Sequence, residues 1–357
     1  MRLVNMRYVE EGSILARPVM NSFGMVLLQT GVILTASYID RLKTLGYDVL
    51  FIQDDRLDDV EINIAITNQT REVAYKSIEL ISKYLERDSN SKDSIPIDNV
   101  RISVRQMIND LLSSSDIIGN LTEIQGYDDY TFHHSVNTTI ISLILGIASG
   151  YSEQKLMELG MGVLMHDIGK IKVPEEILNK KTPLTEAEFG EIKKHTTYGF
   201  EILRKNNDLS LLSAHVAFQH QEKWDGTGYP RGLKGSAIHE YGRLAAIADV
   251  YEALTSKRVY RKAIEPNEAF EYIISQGNTH FDPKIVEVFK KNIAVYPSGS
   301  GILLSNGQRG NVIKQNPAFP NRPFVRTFFE NGEPLTAPID YNLALYPSLM
   351  IVALENR

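Results

Sequence analysis

A chain of 357 residues, 43% hydrophobic and 23% charged, has the composition of a soluble globular protein and room for two or three domains. Its formal net charge of −6 argues against broad binding to DNA or RNA, which needs a basic surface, but leaves room for a small nucleotide held by a local cation cluster. With no cysteine, disulfides are excluded, and any metal site must be built from His, Asp, Glu, Asn or Gln.

The opening Met1–Met6 lacks the apolar core of a secretory signal. The most apolar run, Ile140–Ala148, is about half of what a membrane span requires and reads as a buried core helix. These features, with the missing cysteine, lead us to expect a cytoplasmic protein without a membrane span.

In chain order, residues 1 to 95 read as a small mixed α/β accessory or regulatory unit. Gly24–Leu28 and Val32–Leu34 look like strands joined by a turn at Gln29-Thr30-Gly31, and Ser37–Leu45 like a short helix stopped by Gly46 before the strand Val49–Ile52. Val73, Ile78, Ile81 and Leu85 then fall near a 3.6-residue period, and the polar stretch Arg87–Ser94 reads as a linker. Residues 96 to 296 are helical almost throughout. Thr185-Glu186-Ala187-Glu188 is a capping box, and Pro266 and Pro283 each stand where a helix begins, the latter after Asp282 as N-cap. Residues 297 to 357 start with the flexible Ser298–Gly301 and carry the hairpin signals Asn306-Gly307 and Asn331-Gly332, so they read as a small antiparallel β unit. The fold class expected is mostly α: a helical bundle with a mixed α/β unit before it and a β unit behind.

The chemistry concentrates in the helical middle, at His134, His166-Asp167, Lys170, His195, His220 and Asp249. None is a signal alone; a histidine is usually a hydrogen-bonded or surface residue. His166 and Asp167 end the apolar stretch Leu156–Met165 and precede a glycine turn, which would hold two ligands at a helix end. Asp249 lies inside the apolar Leu244–Tyr251, where an unpaired carboxylate is costly and needs a cation or a strong donor. The plain alternative is an ion pair with Arg243 or Arg258.

The order His134-Ser135, His166-Asp167-Ile168-Gly169-Lys170, His195, His220-Gln221-Glu222-Lys223-Trp224-Asp225-Gly226-Thr227-Gly228-Tyr229-Pro230, Asp249–Thr255 and Gly277–Pro283 resembles HD-GYP domains, over residues 125 to 290. Its most specific element is Gly228-Tyr229-Pro230 in its Trp-Asp-Gly context. The resemblance implies a helical bundle holding two or three divalent metal ions, usually iron or manganese, and hydrolysis of cyclic di-GMP to linear pGpG or GMP by a metal-activated water. It implies that His134, His166, Asp167 and Asp249 hold one metal, and that Asp167 bridges to a second held by His195 and His220. Asp167 and Lys170 would be catalytic, and Lys170, Tyr229, Arg258 and Arg261 would meet the substrate.

The chain departs from the family pattern in two places. The family's His-His-Glu reads His220-Gln221-Glu222 here, so Gln221 is a further candidate ligand only through its weaker amide oxygen, and occupancy of the second metal is in question. Tyr130 stands where some members carry a Glu that supports a third metal, so no third metal is expected. Glu252, where Asp is common, is a mild change. The remaining histidines read as structural: His133 points about 100° away from His134 on a helix, His215 faces elsewhere, and His239 and His280 look like loop or cap residues.

Three functions compete: a working cyclic di-GMP phosphodiesterase, a weak or inactive receptor signalling through protein contacts, and an HD-type hydrolase of mononucleotides. The intact His166, Asp167, Lys170, His195, His220 and Asp249 favour the first, Gln221 and Tyr130 the second, and the Gly-Tyr-Pro element opposes the third. A homodimer or a signalling partner protein is left open by the sequence.

Overall fold

The structure is a computed structural model that describes residues 1–21, 25–60, 65–87, 95–114, 130–256 and 263–355. Within these the chain divides into two compact units, one formed by the described parts of 1–65 and 291–357, the other by 66–113 and 130–290.

The first unit is built from both ends of the chain. β1 (Arg2–Asn5) pairs antiparallel with β4 (Val49–Ile52), β2 (Val19–Met20) pairs with β3 (Val26–Leu28), and α1 (Ala36–Thr44) starts at its N-cap Thr35. The expected hairpin between 26–28 and 32–34 does not form. Instead β3 pairs with β2, and Val32 and Leu34 exchange backbone hydrogen bonds with Leu15 and Ser13. That choice buries Leu15 and Leu34 completely in one core with Leu50 and Val19, which a local hairpin would not achieve. The C-terminal segment forms β5 (Gly301–Leu304), β6 (Gln308–Lys314), β7 (Phe324–Glu330), β8 (Glu333–Asn342) and β9 (Ile351–Leu354) in one antiparallel sheet of order β8-β7-β6-β5-β9. Asn306-Gly307 joins β5 to β6 and Asn331-Gly332 joins β7 to β8, with Gly307, Asn331 and Gly332 at positive φ as such turns require. The two ends meet where Leu3 N donates to Gly299 O at 2.9 Å, and where Arg326 spans Asp59 and Asp340.

The second unit is helical. It comprises α2 (Asn68–Arg87), α3 (Asp98–Ser113), α4 (Tyr130–Ala148), α5 (Glu153–Leu164), the short α6 (Glu175–Leu178), α7 (Glu186–Lys193), α8 (His195–Leu203), α9 (Leu211–Gln219), α10 (Glu240–Thr255), α11 (Pro266–Ser275) and α12 (Pro283–Asn292), whose last two residues cross into the first unit. Thr185 and Glu188 close a reciprocal capping box on α7, and Pro266 opens α11. In α4 the run expected as core is buried through Ile140, Ile141, Leu143, Ile144 and Leu145, and α10 is buried on nearly every side. α4 packs on α5 and α10, and α9 on α5, α8 and α10. No helix among the described residues is long and apolar enough to cross a membrane. The fold is mostly α with a small C-terminal sheet, as expected.

Candidate metal centre

The helical core brings six polar side chains to one point. His134 comes from α4, His166 and Asp167 from the turn that ends α5, His195 from the first residue of α8, His220 from the C-cap of α9, and Asp249 from α10. All six are buried, Asp249 being the most open at 8%. Gly169 makes this convergence possible. It lies in the tight helical turn Ile168–Lys172 against the start of α8, where an added Cβ would sit 2.0 Å from His195 O and 2.4 Å from Gly199 N. Only a residue without a side chain lets the two backbones approach this closely and place His195 beside Asp167.

The donor atoms form three overlapping groups, each within 4.8 Å: His134, His166 and Asp167; His166, His220 and Asp249; and Asp167, His195 and His220. Asp167 stands in the middle. Its Oδ1 is 3.5 Å from His195 Nε2 and 3.8 Å from His220 Nε2, and its Oδ2 is 3.5 Å from His166 Nε2 and 3.7 Å from His134 Nε2. Asp249 Oδ1 lies 3.1 Å from His134 Nε2.

The orientation of each imidazole is set from behind. The Nδ1 atoms of His166 and His195 lie 2.7 Å from the carbonyls of Val163 and Ile192, and that of His220 lies 3.0 Å from Ala217 O. A carbonyl can only accept, so each Nδ1 carries the proton and each Nε2 turns a lone pair inward. His134 Nδ1 instead meets the carboxylate of Glu252, whose other oxygen accepts from Ser256 Oγ at 2.6 Å. His166 Nε2 is buried with no hydrogen-bond partner, an arrangement that is expensive without a ligand for the lone pair. Four imidazoles and two carboxylates therefore fit divalent iron, manganese or zinc.

Electrostatics agree. Burial alone would raise Asp167, but Lys170 and the surrounding His166, His195 and His134 hold it well below the usual carboxylate range. Burial likewise opposes ionisation of Asp249, and the hydrogen bond and charge of His134 outweigh it, so Asp249 is also low. Burial, with His166 and His195 alongside, lowers His220 to about 3. Burial also acts against a charged His134, yet Glu252 and Asp249 prevail and raise it to about 9.

Among the other expected site residues, Lys170 Nζ donates to Asp167 Oδ2 and remains about a third exposed. Gln221 Nε2 donates to Asp249 Oδ2 at 2.9 Å. Tyr229 is half-buried, its ring centroid 6.3 Å from that of His195, and burial followed by Asp167 and Asp249 pushes its phenol up. Arg258 and Arg261 lie outside the described residues, as does the side chain of Tyr130. Arg243, the alternative partner for Asp249, pairs with Asp282 instead. His215 packs against Phe200 and Phe218, His239 caps α10 through Tyr241 N, and His280 stacks on Phe281. His133 packs on Tyr75 at the edge of the core, where burial and Arg71 lower it to about 4.

Two glutamates noted within the motifs, but given no role from the sequence, support the centre. Glu252 is three residues after Asp249, so both lie on one face of α10, which was the available signal. Glu222 is buried at 1% and accepts from Arg231 N at 2.8 Å and Leu233 N at 2.9 Å. It thereby pins the loop carrying Tyr229 against the centre. Gly228 completes that seat, since a Cβ there would fall 2.3 Å from Lys223 N.

A family model described as HD domain matches residues 109–285. The chain is 35% identical over 242 residues to a cyclic di-GMP phosphodiesterase of Pseudomonas aeruginosa, covering 68% of this chain and 56% of that one. It is 39% identical over 177 residues to a cyclic di-GMP phosphodiesterase of Thermotoga maritima, covering 49% and 48%. It is 30% identical over 242 residues to a 3'3'-cGAMP-specific phosphodiesterase of Vibrio cholerae, covering 67% and 44%. The chain thus spans about half the length of these curated relatives. Among solved structures it is similar in fold to the HDG"Y"P protein Bd1817 of Bdellovibrio bacteriovorus, with a TM-score of 0.53 and 16% identity over 80% of this chain and 97% of that one.

Proposed function

The chain belongs to the HD domain family through residues 109–285, with the motifs of its HD-GYP branch, and from that premise we propose that it is a metal-dependent phosphodiesterase that opens a cyclic dinucleotide, foremost cyclic di-GMP, to pGpG or GMP. The observation that carries this reading is the convergence of four inward Nε2 atoms on Asp167, with His166 Nε2 left unpartnered.

Two cations, iron or manganese, would be held by His134, His166, Asp167, Asp249, His195 and His220, and when bound they supply an acidified water and neutralise charge developing on phosphorus. The protein's own groups do the rest. Asp167 is kept ionised by Lys170 and its histidine neighbours, so it is ready to share its two oxygens between both sides of the centre. Lys170 brings a partly buried ammonium beside that carboxylate, where a phosphate oxygen would gain negative charge. Glu252 and the backbone carbonyls fix the imidazole tautomers, so no ring has to reorient when substrate arrives. Tyr229 borders the site and offers a ring to the base.

A second reading, a receptor that binds the dinucleotide without cleaving it, is favoured by Gln221, whose amide is occupied by Asp249. One assay separates them. Protein loaded with manganese or iron is incubated with cyclic di-GMP or 3'3'-cGAMP, and the products are resolved. Turnover that falls at least about 10³-fold in Asp167→Ala supports the enzyme, because several kcal/mol of transition-state stabilisation rest on that carboxylate. Tight binding with no linear product supports the receptor, and failure to bind either dinucleotide sinks both.

A further inference from the structure

We propose that Phe189, Tyr229 and Lys193 form a shelf at the edge of the metal centre that stacks a purine base of the substrate. The proposal rests on the phosphodiesterase reading for the place of the phosphate, and adds the group that holds the base.

A single exposed ring on a helix says nothing. Here three features coincide. Phe189, on α7, is a large apolar side chain and is 45% exposed. Its ring stands edge-on to Tyr229 with centroids 6.4 Å apart, and Tyr229 stands edge-on to His195 at 6.3 Å. An unbroken line of rings thus leads from the buried centre to the surface. Lys193 Nζ lies over the same pair, 4.7 Å from the Phe189 centroid and 5.6 Å from that of Tyr229.

Local hydrogen bonds hold the setting. Thr185 and Glu188 cap the first turn of α7, Lys180 donates to both oxygens of Glu188 at 2.7 Å, and the loop of Tyr229 is pinned by Glu222. Aromatic faces held in place with a cation beside them are what a nucleotide base with a nearby phosphate needs: the face stacks on any base, more strongly on a purine, and the ammonium attracts the anion. A protein or lipid partner would not require the line of rings to end at His195. The ligand class is therefore a purine nucleotide whose phosphate lies at Asp167 and whose base lies over Phe189.

The test uses the manganese-loaded full chain and two probes differing only in the base, GMP and ribose 5-phosphate, measured by titration calorimetry. The wild type should bind GMP more tightly than ribose 5-phosphate. Phe189→Ala should weaken GMP roughly 5- to 100-fold and leave ribose 5-phosphate unchanged, while Phe189→Trp should restore GMP. Because Phe189 is exposed, folding of these variants should match the wild type by circular dichroism. Equal binding of the two probes by the wild type, no binding of GMP, or a GMP affinity indifferent to Phe189→Ala overturns the shelf. Cyclic di-GMP turnover by the wild type is scored separately. Turnover with Phe189-independent GMP binding sinks the shelf alone, and Phe189-dependent GMP binding without turnover sinks the hydrolase reading alone.

Discussion

Two clusters of charge in this molecule are built on opposite logic. In the unit made from the two chain ends, Arg326 places all five of its N–H donors: on Asp340 at 2.7 and 3.0 Å, on Asp59 at 2.6 and 2.9 Å, and on Arg56 O at 3.3 Å. Those carboxylates push the guanidinium further up, and none of its donors is left over. In the helical unit, six side chains converge and the cluster stays open, with His166 Nε2 buried and unpartnered. The first cluster ties segments together, while the second gathers donors of the kind that hold a cation. The first is one guanidinium whose donors all meet acceptors, the second four imidazoles around two carboxylates, and only the second leaves a buried nitrogen without a hydrogen-bond partner.

Three substitutions would break or sharpen that contrast. The largest effect should come from Gly169→Ala. Its Cβ would collide with the backbone of the first turn of α8 at His195 and Gly199, so α8 must move away from the turn that follows α5. We expect a loss of about 3 kcal/mol, at the upper end for overpacking, together with loss of manganese binding. Thermal unfolding and metal analysis of the purified variant check this, and wild-type values in both would show that close approach at Gly169 does not hold the centre together.

Next should come Glu252→Gln. It keeps shape and hydrogen-bonding capacity but removes the charge that makes His134 a basic donor. Metal affinity should fall roughly 10- to 100-fold, read by competition with a chromogenic chelator, with helicity unchanged. An unaltered affinity would reduce Glu252 to a packing residue.

The smallest effect should follow Arg326→Ala, because that network is exposed around Asp59 and largely screened by solvent. A small drop in thermal stability with metal uptake and turnover intact is expected. Lost metal binding would mean that the closed cluster and the open one are coupled.

Much of the centre was readable from the residues themselves. A His-Asp pair at the end of an apolar helix, a carboxylate inside another and the Gly-Tyr-Pro loop are local patterns, and the structure brings all six candidate ligands together. Thr185, Pro266 and the two Asn-Gly turns were legible for the same reason: caps and tight turns depend on a few consecutive residues. The partner of β3 was not, because the choice between Val19–Met20 and Val32–Leu34, both near in sequence, is made by which pairing buries Leu15 and Leu34 in the shared core. Phe189 and Lys193 gave no signal, since a hydrophobic and a basic residue on a capped helix look like any surface turn until Tyr229 is placed beside them.

The sequence by itself therefore determined the kinds of donor available, the helices that carry them and the turns between strands, all set by neighbours within a few positions. Tertiary structure alone decided that His134, Asp167, His195, His220 and Asp249 meet at one point and that Glu252 stands behind His134. It also brought the chain's two ends into one unit. Those are contacts between residues tens to hundreds of positions apart, and chain connectivity carries no record of them until the core closes.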